Sequence, residues 1–175
     1  MRRISAVAAA AFAGVLAALT PAAHADDASQ VTVGAGVFDL VSHHAHPFEG
    51  DVQYRFGWGL FGGDGVFRGL KPIIGVMGNS KGGVMGWAGL AAPLQFDNDR
   101  WEIEPSAAVG AYHRGSGIDL GGTFEFHLGV AASYAVSEHS RFGIELTHIS
   151  NANTHRINPG SNSALATWTW MFRDE

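Results

Sequence analysis

Apolar and polar residues alternate with a period of two along most of the chain beyond its first 30 residues. The clearest example runs from Val52 to Leu60, where large apolar residues alternate with Gln53, Arg55 and two glycines. The same alternation returns in residues 101–109, 123–130, 141–147 and 167–172. A period of two is the side-chain repeat of a β-strand, whereas an amphipathic helix repeats every 3.6 residues. The pattern therefore predicts an all-β chain.

Clusters of Gly, Asn, Asp, Ser and Pro separate these runs and define eight predicted strands. The strands lie near residues 31–41, 51–61, 70–79, 83–94, 100–113, 120–136, 140–150 and 163–172. Most have about the 9–11 residues with which a tilted strand crosses a bilayer. An even number of antiparallel strands also lets a barrel close with both chain ends on one side. The strand count and lengths thus suit a small antiparallel barrel.

The distribution of polarity within the strands bears on whether this barrel is soluble or spans a membrane. One face carries Phe, Trp, Ile, Leu and Val, and the other carries Glu, Arg, Gln, Thr and Gly. A soluble lipocalin-like barrel buries the first set, whereas an outer-membrane barrel turns it towards lipid. Strand parity alone leaves both open, but tryptophans near strand ends fit an interfacial girdle. These tryptophans are Trp58, Trp87, Trp101, Trp168 and Trp170.

We therefore predict an eight-stranded antiparallel transmembrane β-barrel of the bacterial outer membrane. The charged residues of the polar face are then expected to form a network in the lumen. They are Arg55, Glu102, Glu104, Glu125, His127 and Glu145. Side chains fill the interior of a barrel this small, which argues against a porin.

Residues 1–25 have the features of a secretory signal peptide. Arg2 and Arg3 precede an apolar stretch from Ala6 to Leu19, and Ala23-His24-Ala25 forms a cleavage site. The alternative, a transmembrane anchor, needs about 20 apolar residues. The stretch is shorter than that, and no long apolar run follows it. We expect export to the cell envelope and a single domain, the barrel, over residues 26–175.

Composition narrows the possible chemistry. The chain has no cysteine, so a disulfide scaffold, a thiol nucleophile and a cysteine-ligated metal are excluded. Its net charge of −5 makes nucleic acid a poor partner. His43, His44 and His46 form a tight group, but no acidic or histidine partner stands at a convincing spacing. We interpret this group as a solvated loop rather than a metal site, and nothing in the sequence requires a metal or an organic cofactor.

The segment from Leu146 to Asn153 carries the candidate chemistry. His148 and Ser150 share strand parity with Phe142, Ile144 and Leu146, which places them on the lipid-facing side. Residues two apart on one strand face are roughly 6.5–7 Å apart, a span that a serine and an imidazole can bridge. Such a pair supplies the base that a serine nucleophile needs. The alternative is an idle polar pair at the water interface.

The wider segment resembles a known signature. His148-Ile149-Ser150-Asn151-Ala152, followed by Asn158-Pro159-Gly160, is similar to the motif of the lipid A 3-O-deacylases, the PagL family of outer-membrane enzymes. A looser similarity extends over residues 34–39 and 124–130. The resemblance implies an esterase that removes the 3-linked hydroxyacyl chain from lipid A, at a site on the outer wall of the barrel. It implies Ser150 as nucleophile and His148 as general base, with Asn151 and Asn158 binding the oxyanion or holding the turn.

The chain departs from this family pattern at one position. The family places a glutamate that orients the histidine where this chain has Asn162, and no carboxylate lies between Asn151 and Phe172. Either Asn162 orients His148, or the barrel is catalytically weak or inactive and has a structural or lipid-binding role. Glu145 is close in sequence, but its parity directs it into the lumen.

The expected partners are lipid A or lipopolysaccharide as substrate and the lipids of the outer membrane. His155 and Arg156 follow the motif and are weak candidates for contacts to lipid A phosphates, because guanidinium suits phosphate geometry. A plain solvated loop is the alternative. The exposed aromatic wall would also allow a homodimer.

Overall fold

The computed structural model describes residues 28–41 and 46–172, so the predicted signal peptide lies outside the described residues. The strands are β1 (Ser29–Val37), β2 (Phe48–Arg55), β3 (Lys71–Asn79), β4 (Val84–Ala91), β5 (Leu94–Phe96), β6 (Trp101–His113), β7 (Phe124–Ser137), β8 (Ser140–Ser150) and β9 (Ser161–Phe172). No helix in the described ranges is long and apolar enough to cross a bilayer.

Eight of these strands close into an antiparallel barrel. Each long strand pairs with its neighbour in sequence, β9 pairs with β1, and β4 pairs with β6. The short β5 extends the wall beyond β4 and pairs with β6. Ser29 lies opposite Phe172, so the first strand begins and the last strand ends at the same end of the barrel, which we call the terminal end. The predicted eight-stranded barrel is confirmed.

The opposite end carries residues 38–41 and 46–47 and the connections 80–83, 114–123 and 151–160, and we call it the site end. Strand β2 shows how polarity is divided between the lumen and the outer wall. Glu49, Asp51 and Arg55 are buried in the lumen, whereas Phe48 and Val52 on the other face are 61% and 46% exposed. Apolar side chains therefore line the outside, as in an outer-membrane barrel, and the soluble lipocalin-like alternative is wrong.

Side chains occupy both halves of the lumen. Near the terminal end, Arg55 donates to both carboxylate oxygens of Glu102 at 3.1 and 3.3 Å and also pairs with Glu104. Towards the site end an apolar cluster fills part of the lumen, beside buried carboxylates such as those of Glu49 and Glu125. The members of this cluster are Phe38, Met77, Met85, Trp87, Ala108, Tyr112, Leu120 and Ile149. All six residues predicted for the charged network are buried, as expected.

Three details of the sequence prediction are wrong. Trp87 is not part of an interfacial girdle, because it points into the lumen and stacks on His127 with ring centroids 4.4 Å apart. The predicted strand 83–94 is divided at Pro93, which lies between β4 and β5. The strand predicted for 51–61 leaves the barrel wall after Arg55, although its alternation of apolar residues continues.

Candidate active site

The centre of the site is a cross-strand pair between β8 and β9. His148 lies directly opposite Asn162 in the antiparallel register. Both side chains are on the outer face, which continues towards the membrane through Leu146 and Ile144, each more than half exposed. His148 Nδ1 and Asn162 Oδ1 are 2.9 Å apart and form a hydrogen bond. The register of two strands thus holds the imidazole in place.

This hydrogen bond selects one form of the histidine. An amide oxygen only accepts hydrogen bonds, so Nδ1 of His148 must carry the proton that it donates to Asn162. In the neutral ring, Nε2 is then left with a free lone pair. That is the tautomer in which a histidine acts as general base towards a serine.

Ser150 is the last residue of β8 and lies two positions beyond His148 on the same face. It is partly exposed, opposite Phe126 of β7. Within the described ranges its hydroxyl makes no side-chain hydrogen bond. Contacts between a nucleophile and its base are often long in unliganded enzymes and shorten when substrate binds. The hydroxyl is therefore free to meet a substrate arriving along the outer wall.

Asn151 faces away from Ser150, into the protein, and is fully buried. Its Nδ2 donates to the carbonyl oxygens of Leu120 at 2.6 Å and Ile157 at 2.8 Å. Both amide hydrogens are thus used to tie the connection 151–160 to the neighbouring connection 114–123. Of the two roles that the resemblance implied for this residue, the geometry fits holding the turn.

Asn158 supports the same turn from the other side. Its Oδ1 accepts a hydrogen bond from the backbone nitrogen of Asn151 at 3.0 Å. Its Nδ2 makes only a long contact of 3.4 Å with Asn153 Oδ1, on the exposed side of the loop. Of the two amides, that of Asn158 is the one with donor capacity to spare for a developing oxyanion.

Gly160 belongs to the signature segment, but the sequence prediction assigned it no role in the site. Its φ of +66° lies in the left-handed region, and a Cβ built there would be 3.0 Å from His148 Cε1 and 3.5 Å from Nε2. Any larger residue would press on the edge of the imidazole that has to receive the serine proton. The signal in the sequence was the Pro-Gly pair after Asn158, which reads as a turn but gives no hint of this contact.

The remaining candidates lie around this centre. His155 is exposed and packs over Gly122, and Arg156 is exposed in the same connection. His46 Nδ1 lies 2.8 Å from the carbonyl oxygen of Asp39, whereas His43 and His44 fall outside the described residues. In the described part of the chain, no group of three or more His, Asp or Glu residues is arranged to hold a metal ion. Glu145 is buried in the lumen and does not face His148.

Comparison with solved structures supports the fold. A crystal structure of the outer membrane enzyme PagL aligns with a TM-score of 0.64 and 16% identity, over 80% of this chain and 97% of that one. A structure from work on de novo design of transmembrane β-barrels aligns with a TM-score of 0.56 and 11% identity, covering 87% and 98%. Neisserial surface protein A aligns with a TM-score of 0.51 and 12% identity, covering 82% and 94%.

Sequence comparison identifies the family. No curated protein sequence matches the chain. The family model described as lipid A 3-O-deacylase (PagL) matches residues 41–170, a range that contains most of the barrel and all of the site residues described above. The chain belongs to the PagL family of lipid A deacylases, enzymes of the bacterial outer membrane, and has the transmembrane β-barrel of that family.

Proposed function

We propose that this protein is a serine esterase that hydrolyses the 3-O-linked hydroxyacyl chain of lipid A. The observation that carries the proposal is the His148–Asn162 hydrogen bond on the lipid-facing wall, with Ser150 next on the same strand face. A base in the correct tautomer beside a free serine hydroxyl is the minimum for nucleophilic ester cleavage. Membership of a lipid A deacylase family indicates the substrate class.

The reaction follows from this arrangement in two halves. Nε2 of His148 takes the proton of Ser150 as Oγ attacks the ester carbonyl, and the intermediate then collapses to an acyl-enzyme. The imidazolium returns its proton to the departing 3-oxygen of the sugar, which leaves as an alcohol. Water, deprotonated by the same Nε2, then attacks the acyl-enzyme and releases a hydroxy fatty acid and free Ser150. No metal or organic cofactor is required.

The position of the site suits an amphipathic substrate. Apolar side chains of β8, including Leu146 and Ile144, line the wall on the membrane side of His148, and the polar connection 151–160 lies beyond it. Lipid A held at this boundary keeps its acyl chains in the bilayer while an ester near its headgroup reaches Ser150. On this proposal, the exposed His155 and Arg156 contact headgroup phosphates.

A catalytically weak or inactive barrel with a structural or lipid-binding role is the second candidate. The observation that favours it is Asn162, because an amide orients the imidazole but carries no charge to stabilise the imidazolium. In a serine protease the corresponding Asp-to-Asn change lowers kcat by about 10⁴.

Mass spectrometry of lipid A incubated with refolded protein in detergent tests the proposal. We expect loss of one hydroxyacyl chain with the wild type and with Ser137→Ala, a matched change at the terminal end, and none with Ser150→Ala. Heat-modifiable gel migration confirms that each protein is folded. Intact lipid A with folded wild type would refute the deacylase proposal, whereas activity retained by Ser150→Ala would remove only the assigned nucleophile.

Two expectations from the sequence need separate measurements. Cleavage of the signal peptide after Ala25 predicts a mature amino terminus at Asp26, which the intact mass of protein purified from outer membranes will show. A homodimer stays a prediction as well, and light scattering in detergent measures the oligomeric state.

A further inference from the structure

The connection between β2 and β3, residues 56–70, forms an ordered extension at the terminal end of the barrel. We call it the flap. Its two arms continue the hairpin beyond the wall: Phe56 N donates to Pro72 O at 3.0 Å, and Leu60 and Leu70 exchange backbone hydrogen bonds of 2.9 and 2.8 Å. Terminal-end turns of outer-membrane barrels are usually short, as the turn at 138–139 is here. The flap departs from that rule.

The returning arm of the flap is fixed to a second element. Arg68 N donates to Pro93 O at 3.0 Å, and Gln95 N donates to Val66 O at 2.9 Å, so this arm lies along β5. The Arg68 guanidinium also pairs with Asp99 at 2.5 Å. These bonds give the flap a defined surface rather than that of a flexible loop.

That surface is apolar and open. Trp58 is 51% exposed, Phe61 68%, Val66 47% and Phe67 37%. The charged residues of the flap are Asp64 and Arg68, whose charges cancel. An apolar patch of this kind on an ordered segment marks a contact with a partner or a membrane.

Phe61 gives an independent indication that the exposed rings are functional. Its φ of +59° lies in the left-handed region, which is costly for a residue with a Cβ. The flap is rich in glycine, and glycine would occupy this conformation without strain. Instead, this strained position holds Phe61, the most exposed aromatic side chain of the flap. Such an arrangement is expected if the ring contacts something outside the protein.

We propose that the flap lies in the membrane interface and that its aromatic side chains contact phospholipid in the leaflet on the far side of the membrane from Ser150. The flap is continuous with the lipid-facing wall, which points to lipid as its partner. The Tyr54 and Phe56 rings are 4.8 Å apart and the Phe56 and Trp58 rings 6.0 Å apart, so one aromatic ladder runs from the wall of β2 into the flap. Aromatic rings in a segment without net charge suit the headgroup level of a bilayer.

The absence of cysteine from the chain makes a site-directed spin-label experiment clean. Phe61→Cys and Val66→Cys place nitroxide labels on the flap; the second avoids the strained backbone. Ile144→Cys on the outer wall and Asn153→Cys on the exposed 151–160 connection are the lipid and water references. Each protein is reconstituted in phosphatidylethanolamine–phosphatidylglycerol vesicles, and collision rates with oxygen and a water-soluble nickel chelate are measured.

We expect both flap labels to show about threefold or greater protection from the nickel chelate relative to the Asn153 label, because polar reagents are depleted where apolar side chains enter the interface. Their oxygen accessibility should approach that of the Ile144 label. Nickel accessibility equal to that at Asn153 would overturn the proposal and leave the flap as a surface for a water-soluble partner. The outcome is independent of deacylase activity, since no step of the measurement uses lipid A.

Discussion

Replacing Asn162 with aspartate is the sharpest test of how the site works. The two side chains have the same shape, so Asn162→Asp keeps an acceptor oxygen 2.9 Å from His148 Nδ1 and adds a negative charge. The charge matters only when His148 becomes an imidazolium, which happens as the ester is attacked. The substitution is therefore expected to raise kcat rather than to improve substrate binding.

The size of the gain follows from the geometry. Two unit charges about 4 Å apart attract by about 4 kcal/mol at an effective dielectric constant of about 20. Asn162 is half-buried, so solvent screens part of this attraction, and we take about half of it, about 2 kcal/mol. Because 1.36 kcal/mol changes a rate tenfold, the expected increase in kcat is roughly 30-fold. Asn162→Ala should lower kcat by about tenfold or more, because it leaves the imidazole without its orienting bond.

The assay is the release of hydroxy fatty acid from lipid A in detergent at fixed pH, measured for the wild type and the two Asn162 variants. Asn98→Asp is the matched control, because it makes the same chemical change on an exposed turn at the terminal end of the barrel, away from the site. Equal rates in the wild type, Asn162→Asp and Asn162→Ala would show that Asn162 does not act through His148. An Asn98→Asp gain as large as that of Asn162→Asp would assign the effect to overall charge.

Three further substitutions distinguish residues that affect catalysis from residues that stabilise the fold. Gly160→Ala should lower deacylase kcat by about tenfold or more while changing the unfolding free energy by only about 1–2 kcal/mol, because the new methyl group meets the His148 ring at a left-handed position; the kinetics and a urea titration check this. Asn151→Ala leaves the carbonyls of Leu120 and Ile157 without their donor, and it should cost about 2–4 kcal/mol in the same titration. Arg55→Ala removes the cation that pairs with the buried Glu102 and Glu104 and should destabilise the barrel by about 3–5 kcal/mol, again measured in urea; unchanged unfolding midpoints would contradict the last two predictions.

Much of the fold could be predicted from strand parity, that is, from the alternation of side chains between the two faces of a strand. In β8 the alternation of Phe142, Ile144 and Leu146 with polar residues assigned each side chain to one face, and the structure agrees throughout the strand. The same parity placed His148 and Ser150 outside and Glu145 inside. A strand imposes its period on every residue it contains, so one recognised face fixes the other.

The prediction failed at Trp87, whose place near a strand end suggests an interfacial girdle. Trp87 and Met85 are instead buried on the inner face of β4, within the apolar cluster that fills part of the lumen towards the site end. The alternation of Phe56 and Trp58 also predicts barrel wall, although these residues belong to the flap. Pattern alone does not reveal which stretch of an alternating segment pairs within the barrel.

The contacts of the 151–160 connection could not be predicted from the sequence, for a different reason. Gly160 lies close to the His148 ring, and Asn151 donates to two backbone carbonyls. These residue pairs follow no regular spacing in the sequence, so no periodic pattern predicts the contacts. They exist because the chain returns from β8 to β9 through one particular turn. A motif identifies such residues as candidates. Only the folded turn shows that the amide of Asn151 supports the loop, whereas the amide of Asn158 keeps donor capacity.

One face of β8 contributes to the stability of the barrel, and the other face carries the candidate catalytic residues. Glu145 and Thr147 point into the lumen, where the energy of a buried polar group depends on the side chains packed around it. His148 and Ser150 point outwards. A polar side chain facing lipid is costly unless it is hydrogen-bonded or reaches water, and His148 meets this condition through Asn162 at the margin of the apolar wall. Because adjacent residues serve opposite faces, the outer face can change with little effect on the packing of the lumen. Asn162 of β9 lies on the same outer face, so an asparagine can stand where the resemblance implies a glutamate while the barrel and the orientation of the imidazole are retained.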